Sequence, residues 1–407
     1  MKNIAILHYS CPPVIGGVEE VIRQQATLFH RYHHPVKIIA GAGAQFTEDF
    51  EIEINPILSS RHNDILKLQQ EPITNWAQIL QFVDEIVAYL EKSLCDFDIL
   101  IAHNVLSMHF NLPLTLALHK LADLQIVKVI NWNHDSPYFY KKHMEELEKE
   151  PWLILKKYNP NIHYITISTC RAKEFQELYQ LDAELKVIPN CIDPIHFFGL
   201  DNTTVRLITE QNLFLADLIL VQPCRLHPRK NIELSILVLR ALHDLGINAK
   251  FLLTGAYDPH GHKTLRYYYK LKNLAEELKV DEDLIIVAEY TFMSGEKLSA
   301  SSIIMHDLYL ISDLLFLPSK QEGFGIPLLE AGMIKLPIAC SDIEPFQSIS
   351  GKDVLYFSLD DPPDEIAGKI LEFLNHIKPH GMYRRVIHDY VWDNIYPNIL
   401  KPYLENL

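Results

Sequence analysis

Glu322 and Glu330 stand eight positions apart in the stretch SKQEGFGIPLLEA, Ser319 to Ala331, with a Gly-Phe-Gly turn between them. Glycines leave backbone N–H groups bare, Pro327 suits the first turn of a helix, and a helix N-terminus favours an anion. Carboxylates accept protons from hydroxyls, so a ligand carrying both sugar hydroxyls and phosphates would use the whole stretch. Glu330 is expected in the first helical turn, where the dipole alone would favour it. Glu322 precedes the turn and has no such reason to be there.

Other residues offer complementary chemistry. In CRLHPRKN, Arg225 and Lys230 flank a turn between a strand and a helix. A guanidinium fork and an ammonium point charge there suit a diphosphate, although two basic residues in one loop are more often simply solvated. Gly16 and Gly17 precede an amphipathic helix and could bare N–H groups to a phosphate or sugar oxygen, but no GxGxxG fingerprint accompanies them. His134 and Asp135 follow a strand, with Asp135 placed either to orient the histidine or to cap a turn. His260 and His262 lie close together without a further ligand cluster, so a loop is preferred to a metal site.

These groups need strand ends to hold them. Short β-branched runs alternate with helical patterns: residues 3–8, 36–40, 99–103, 127–132, 164–168 and 186–189, then 218–222, 250–254, 284–287, 314–317, 336–339 and 354–357. Such alternation predicts α/β architecture with two doubly wound parallel sheets, and ligands collect outside the carboxyl ends of such strands. The stretch PNCIDPIHFFGLDNTT reads as the linker, dividing the chain into 1–195 and 196–384. The helical pattern of 385–407, broken at Pro397, is expected to pack back on the first domain. Residues 137–160 read as a solvated helix in preference to an acceptor lid or membrane-proximal helix.

Composition narrows the partners. With 37 Lys and Arg against 52 Asp and Glu, the net charge of −15 opposes nucleic acid or anionic lipid. Six scattered cysteines form no CxxC pair and suit reduced thiols. The first strand starts too near the N-terminus for a signal segment, and no apolar run reaches the roughly 18 residues of a membrane span. A cytoplasmic protein, at most peripheral to a membrane, is expected.

The set GGVE, VIPNCID, CRLHPRKN and EGFGIPLLEA, in this order along nearly the whole chain, resembles the retaining glycosyltransferases of family 4. The resemblance implies a GT-B fold, two Rossmann-like domains facing each other across a cleft, with 1–195 on the acceptor side and a nucleoside-diphosphate sugar bound mainly by 196–384. It implies that Glu322 binds donor-sugar hydroxyls and Glu330 the ribose. The backbone of Gly323, Phe324, Gly325 and Ile326 would meet sugar or phosphate. Arg225 and Lys230 would neutralise the leaving diphosphate without a metal, Gly16 and Gly17 would approach it from the first domain, and His134 would stand near the reaction centre. The base would lie near residues 287–290. Cys191 and the segment VAEY, with Glu289, stand where the family often has glycine. The acceptor is not specified, a soluble saccharide or metabolite being favoured over a lipid. A nucleotide-sugar epimerase, a phosphorylase of related fold and a catalytically silent scaffold are the competing readings.

Overall fold

The computed structural model describes residues 1–140, 145–255 and 262–407, without the side chains of 262–264. The chain divides into two compact units, Met1–Asp193 with Tyr390–Leu407, and Pro194–Asp389.

The first unit holds β1 (Ile4–His8), β2 (Val36–Ala40), β3 (Glu51–Ile54), β4 (Ile99–His103), β5 (Lys128–Asn133), β6 (Ile162–Thr166) and β7 (Lys186–Val187). They form one sheet in the order β3-β2-β1-β4-β5-β6-β7, every pairing parallel. β1 and β4 are buried along their whole length, as expected of strands covered on both faces by helices. Their register sets Ile4 opposite Ile99 and Ile6 opposite Ile101.

The second unit holds β8 (Leu218–Gln222), β9 (Ala249–Leu253), β10 (Leu284–Ile286), β11 (Leu314–Leu317), β12 (Ile338–Ser341) and β13 (Leu355–Phe357), in the parallel order β10-β9-β8-β11-β12-β13. Its core packs Phe251, Phe316 and Phe357, the last two stacked at 5.1 Å. In both sheets the order reverses beside the first strand, between β1 and β4 and between β8 and β11. A crevice opens at such a reversal because the flanking connections leave on opposite faces.

Three details differ from the sequence reading. β3, the stretch EIEI, is a strand that the β-branched runs did not reveal; it lies at the sheet edge, where Lys37 Nζ meets Glu51 at 3.3 Å and Glu53 at 3.2 Å. Alternating glutamates suit an edge, since they discourage further pairing. Among the described residues of 137–160 there is no α-helix but three short 3-10 turns, Pro137–Phe139, Glu145–Glu148 and Trp152–Lys156. Buried Leu147, Trp152 and Leu155 pin this segment, and Tyr138 donates to the Leu147 carbonyl at 2.5 Å. The C-terminal pattern is also split, because the helix Lys378–Asp389 belongs to the second unit.

Beyond it, Trp392–Ile395, a π turn Tyr396–Leu400 and Lys401–Glu405 lie on the first unit. There Trp392 is buried with its indole N–H on Gln24 at 3.0 Å, and Tyr396 stacks on Tyr32 at 3.9 Å. Pro397 falls inside the π turn, where the N–H it lacks is not needed. All six thiols are free, and no described helix is long and apolar enough to cross a membrane.

Candidate functional site

The reversal in the second sheet gathers two loops. After β8, His227 caps a 3-10 turn Pro228–Lys230 by accepting from Arg229 N–H at 3.2 Å. Asn231 takes a left-handed conformation, φ 53°, and the helix Ile232–Asp244 begins. After β11, Ser319 to Gly325 lead into the helix Ile326–Met333, which no side chain caps. Gly325 has φ 121°, and a Cβ there would press on Phe346 at 3.1 Å, so both geometry and space demand glycine. The N–H groups at this helix start therefore have no side-chain acceptor.

The two loops meet through Glu322. Lys230 Nζ forms an ion pair with Oε1, Ser319 Oγ donates to the same oxygen at 2.7 Å, and Arg229 Nη1 reaches Oε2 at 3.2 Å. A backbone bond, Lys320 N–H to the Arg229 carbonyl at 2.8 Å, ties the loops again. Glu322 is only 10% exposed, so its charge stands largely desolvated against two cations. Such an arrangement is stable only because the partners neutralise each other. Arg225 is exposed and pairs with no carboxylate among the described residues, which leaves its fork available.

Glu330 departs from expectation. Gly325 is the cap, so Glu330 falls in the second turn of its helix, beyond the reach of the N-terminal dipole, and its Oε2 accepts from the Tyr309 hydroxyl at 2.5 Å. Burial and the Glu330 charge push that phenol up. Glu330 is thus oriented by a side chain, not by the helix.

Several supporting residues escaped the sequence reading. Gln222, fully buried at the end of β8, donates to the Lys230 carbonyl at 3.0 Å and accepts from Ser235 at 2.7 Å. A Cβ on Gly255 would lie 1.5 Å from the Cys224 carbonyl oxygen, so only glycine lets the loop after β9 cross the loop after β8. Arg229 and Ser319 complete the set; a polar residue closing an apolar strand was the one signal available, at Gln222. Around residues 287–290, a 3-10 turn Val287–Glu289 follows β10, with Glu289 paired to Lys297 at 3.0 Å. Beside it a pocket of ≈ 290 Å³, lined by residues including Gln211, Tyr268, Lys272, Glu289 and Tyr290, runs along the free edge of β10.

In the first unit His134 follows β5 and is 7% exposed. Its Nε2 meets His103 Nδ1 at 3.0 Å, its Nδ1 meets Asn190 Nδ2 at 3.2 Å, and His103 Nε2 meets Gln25 Oε1 at 3.0 Å. One proton assignment satisfies the chain: Asn190 donates to His134, His134 to His103, and His103 to Gln25. Burial, reinforced by the neighbouring His8, holds His134 down at about 3, so it is neutral. His103, stacked on Trp132 at 5.3 Å, is depressed for the same reason.

Both nitrogens of His134 are therefore occupied. Asp135 does not orient it: that carboxylate takes Arg171 at 3.1 Å, Tyr140 at 2.6 Å and the Ser136 N–H at 2.8 Å, which makes it a turn cap. Asn104, at φ 52°, instead holds the backbone N–H groups of His134 and Asp135 at 3.2 and 2.9 Å.

Gly16 and Gly17 also part company. Gly16 caps the helix Gly17–Arg31 in an extended conformation, φ −172°, and a Cβ there would fall 2.0 Å from Glu19 Oε2. The room that Gly16 leaves beside its Cα is filled by the Glu19 carboxylate. Gly17 has nothing within 4 Å of an added Cβ and stays open to a ligand. Cys191 is buried, with its thiol on the Pro189 carbonyl at 3.4 Å. No group of three metal-ligating side chains occurs among the described residues; His260 and the side chain of His262 lie outside them.

The family profile described as "Glycosyl transferases group 1" matches residues 206–385, and that described as "Glycosyltransferase Family 4" matches residues 15–195. Mannosylglucosylglycerate synthase of Petrotoga mobilis is 26% identical over 365 residues, 83% of this chain and 81% of its own length. The protein of that name from Thermotoga maritima is 26% identical over 291 residues, 68% of this chain and 65% of its own. Among solved structures, sucrose-phosphate synthase from Thermosynechococcus elongatus is 16% identical, with 100% of this chain and 99% of that one aligned at a TM-score of 0.42. The family 4 profile covers β2 to β7 and the group 1 profile β8 to β13, so each unit matches a glycosyltransferase family, and the chain is a glycosyltransferase.

Proposed function

We propose that the chain is a retaining hexosyltransferase that moves a hexose from a nucleoside-diphosphate sugar to an acceptor hydroxyl without a metal. The observation that carries this reading is the Lys230–Glu322–Arg229 junction beside a glycine turn and an uncapped helix start. Cation, hydroxyl acceptor and bare N–H groups converge there, which is what a sugar diphosphate requires.

In this reading the bond between the anomeric carbon and the phosphate oxygen breaks with its electron pair going to the diphosphate, the acceptor oxygen becomes bonded to that carbon in its place, and the acceptor's proton leaves to the diphosphate or to solvent. Lys230 and Arg225 stabilise that negative charge, together with the backbone of Gly323, Phe324, Gly325 and Ile326, as preorganised electrostatics. Glu322 receives hydroxyls of the donor sugar and Glu330, held by Tyr309, those of the ribose. Gly17, with nothing within 4 Å of an added Cβ, is assigned to the diphosphate. His134 acts as a neutral, fixed imidazole: a ligand hydrogen bond to its ring would have to replace Asn190 or His103.

Two cations from the chain make a divalent ion unnecessary, so EDTA should leave turnover intact; strict metal dependence would overturn the clamp. Mannose is the sugar to try first, because it is named in both curated relatives. Thermal-shift screening of UDP-, GDP- and ADP-sugars, followed by NMR of the product's anomeric configuration, tests the rest. Stabilisation by one nucleotide sugar and a product of unchanged configuration are expected. An inverted product would refute retention, and no nucleotide response would favour a silent scaffold.

A further inference from the structure

His8, Ser10 and Glu19 form a polar cluster at the carboxyl end of β1 that none of these roles uses. β1 borders the reversal of the first sheet, so its end faces the crevice that such a sheet offers a ligand. His8 Nδ1 lies 2.7 Å from the His103 carbonyl oxygen, an arrangement that makes Nδ1–H the donor and leaves Nε2 as an acceptor. The imidazole is 6% exposed, yet no hydrogen-bond donor meets Nε2 among the described residues; facing it is Glu19 Oε1 at 4.0 Å. Glu19 is fixed by Ser10 Oγ, which donates to Oε1 at 2.6 Å, and by the space over Gly16 into which Oε2 fits.

Two proton acceptors thus stand 4.0 Å apart with no proton between them. Burial outweighs the pull of Glu19 and holds His8 below its ordinary pKa, so the pair does not close as an ion pair. A hydroxyl there would donate its one hydrogen to His8 Nε2, which has no other donor among the described residues, and share it with Glu19 Oε1, which Ser10 already serves. A phosphate would bring a second anion against a carboxylate. We propose that His8 Nε2 and the Glu19 carboxylate receive a hydroxyl of the acceptor, making the end of β1 a subsite for a polyol or sugar rather than for a phosphate-bearing group. This rests on the transferase reading given above and assigns its acceptor side.

The full chain is assayed at saturating nucleotide sugar with methyl α-glucoside and glycerol as acceptor probes. Glu19→Gln keeps the shape but turns an acceptor oxygen into a donor, so it should raise KM for the best probe at least tenfold and leave the donor KM within twofold. Ser10→Ala, which frees the carboxylate without removing it, should raise the acceptor KM by a smaller factor. An unchanged acceptor KM overturns the subsite, as does a donor KM that rises in step with it. A wild type that hydrolyses the nucleotide sugar but glycosylates none of the probes overturns the subsite alone. A wild type that consumes no nucleotide sugar overturns the donor reading and the subsite with it.

Discussion

The Glu322 junction and the His134 junction both sit at the carboxyl ends of parallel strands, yet their electrostatics are opposite. Around Glu322, Lys230 and Arg229 balance the carboxylate, with Arg229 46% exposed and Lys230 and Glu322 14% and 10%. Around His134 charge has been removed: burial keeps His103 and His134 neutral, and amides close the two ends of the chain of hydrogen bonds. The first arrangement can respond to a ligand's charge, whereas the second can only hold a shape. A diphosphate leaving group needs the former, and the surface on which a sugar is positioned gains from the latter.

The largest effect that would break this contrast is on turnover. Lys230→Ala should lower kcat/KM by about 10²–10³-fold, the usual loss of one preorganised charge stabiliser. Stability should also fall, by up to about 3 kcal/mol, because Glu322 at 10% exposure loses its buried cation and keeps only the more exposed Arg229 at 3.2 Å and Ser319 at 2.7 Å. Arg229→Ala should cost at least tenfold less in rate, because that side chain is 46% exposed and its pair is worth under about 1 kcal/mol. Equal losses in steady-state assays of the two variants would show that the junction does not single out Lys230.

Next comes the stability of the first unit. His103→Leu strands the His134 Nε2 proton and Gln25 Oε1 without partners, and should cost about 2–4 kcal/mol. The neutral chain also has a pH signature. An unfolded histidine binds its proton below the ordinary value of 6.5, whereas folded His134 waits until about 3, so the unfolded state holds more protons in between. Stability should therefore fall as pH drops from 6.5 towards 3, by about 1.4 kcal/mol per unit of depression. His119, lowered by burial to about 4, adds to the same slope. All four tryptophans, Trp76, Trp132, Trp152 and Trp392, lie in the first unit, so their fluorescence during urea unfolding reports it alone. A urea midpoint that stayed flat across this window would mean that the histidines are not held neutral.

The same contrast explains what was legible beforehand. Runs such as VKIIA, ILIAH, LILVQ and LLFL match their strands because apolar side chains on both faces leave one secondary structure that buries them. EIEI escaped because an edge strand needs only every second residue apolar. Glu322 could be found by local grammar, with glycines, proline and carboxylate in one turn. The His134 junction could not: its partners Gln25, His103 and Asn190 are scattered over the chain, and only the sheet order brings them together. Glu330 was placed one turn too early because the sequence did not reveal that Gly325, rather than a residue further along, would be the cap.

That displacement yields the smallest effect and the finest test. If Glu330 owed its position to the helix dipole, removing the Tyr309 hydroxyl would do nothing to it. Because Tyr309 donates to Oε2 at 2.5 Å from a buried ring, Tyr309→Phe should instead release the carboxylate, at a cost of about 1.5–3 kcal/mol for a hydrogen bond to a charged group. Much of that cost is softened because Glu330 is exposed and regains water. The donor KM should therefore rise only a few-fold with kcat nearly unchanged, the pattern of a lost binding contact that is the same in ground and transition states. A fall in kcat at constant KM would place Tyr309 and Glu330 at the reacting centre, beside Glu322 and Lys230, rather than at the ribose.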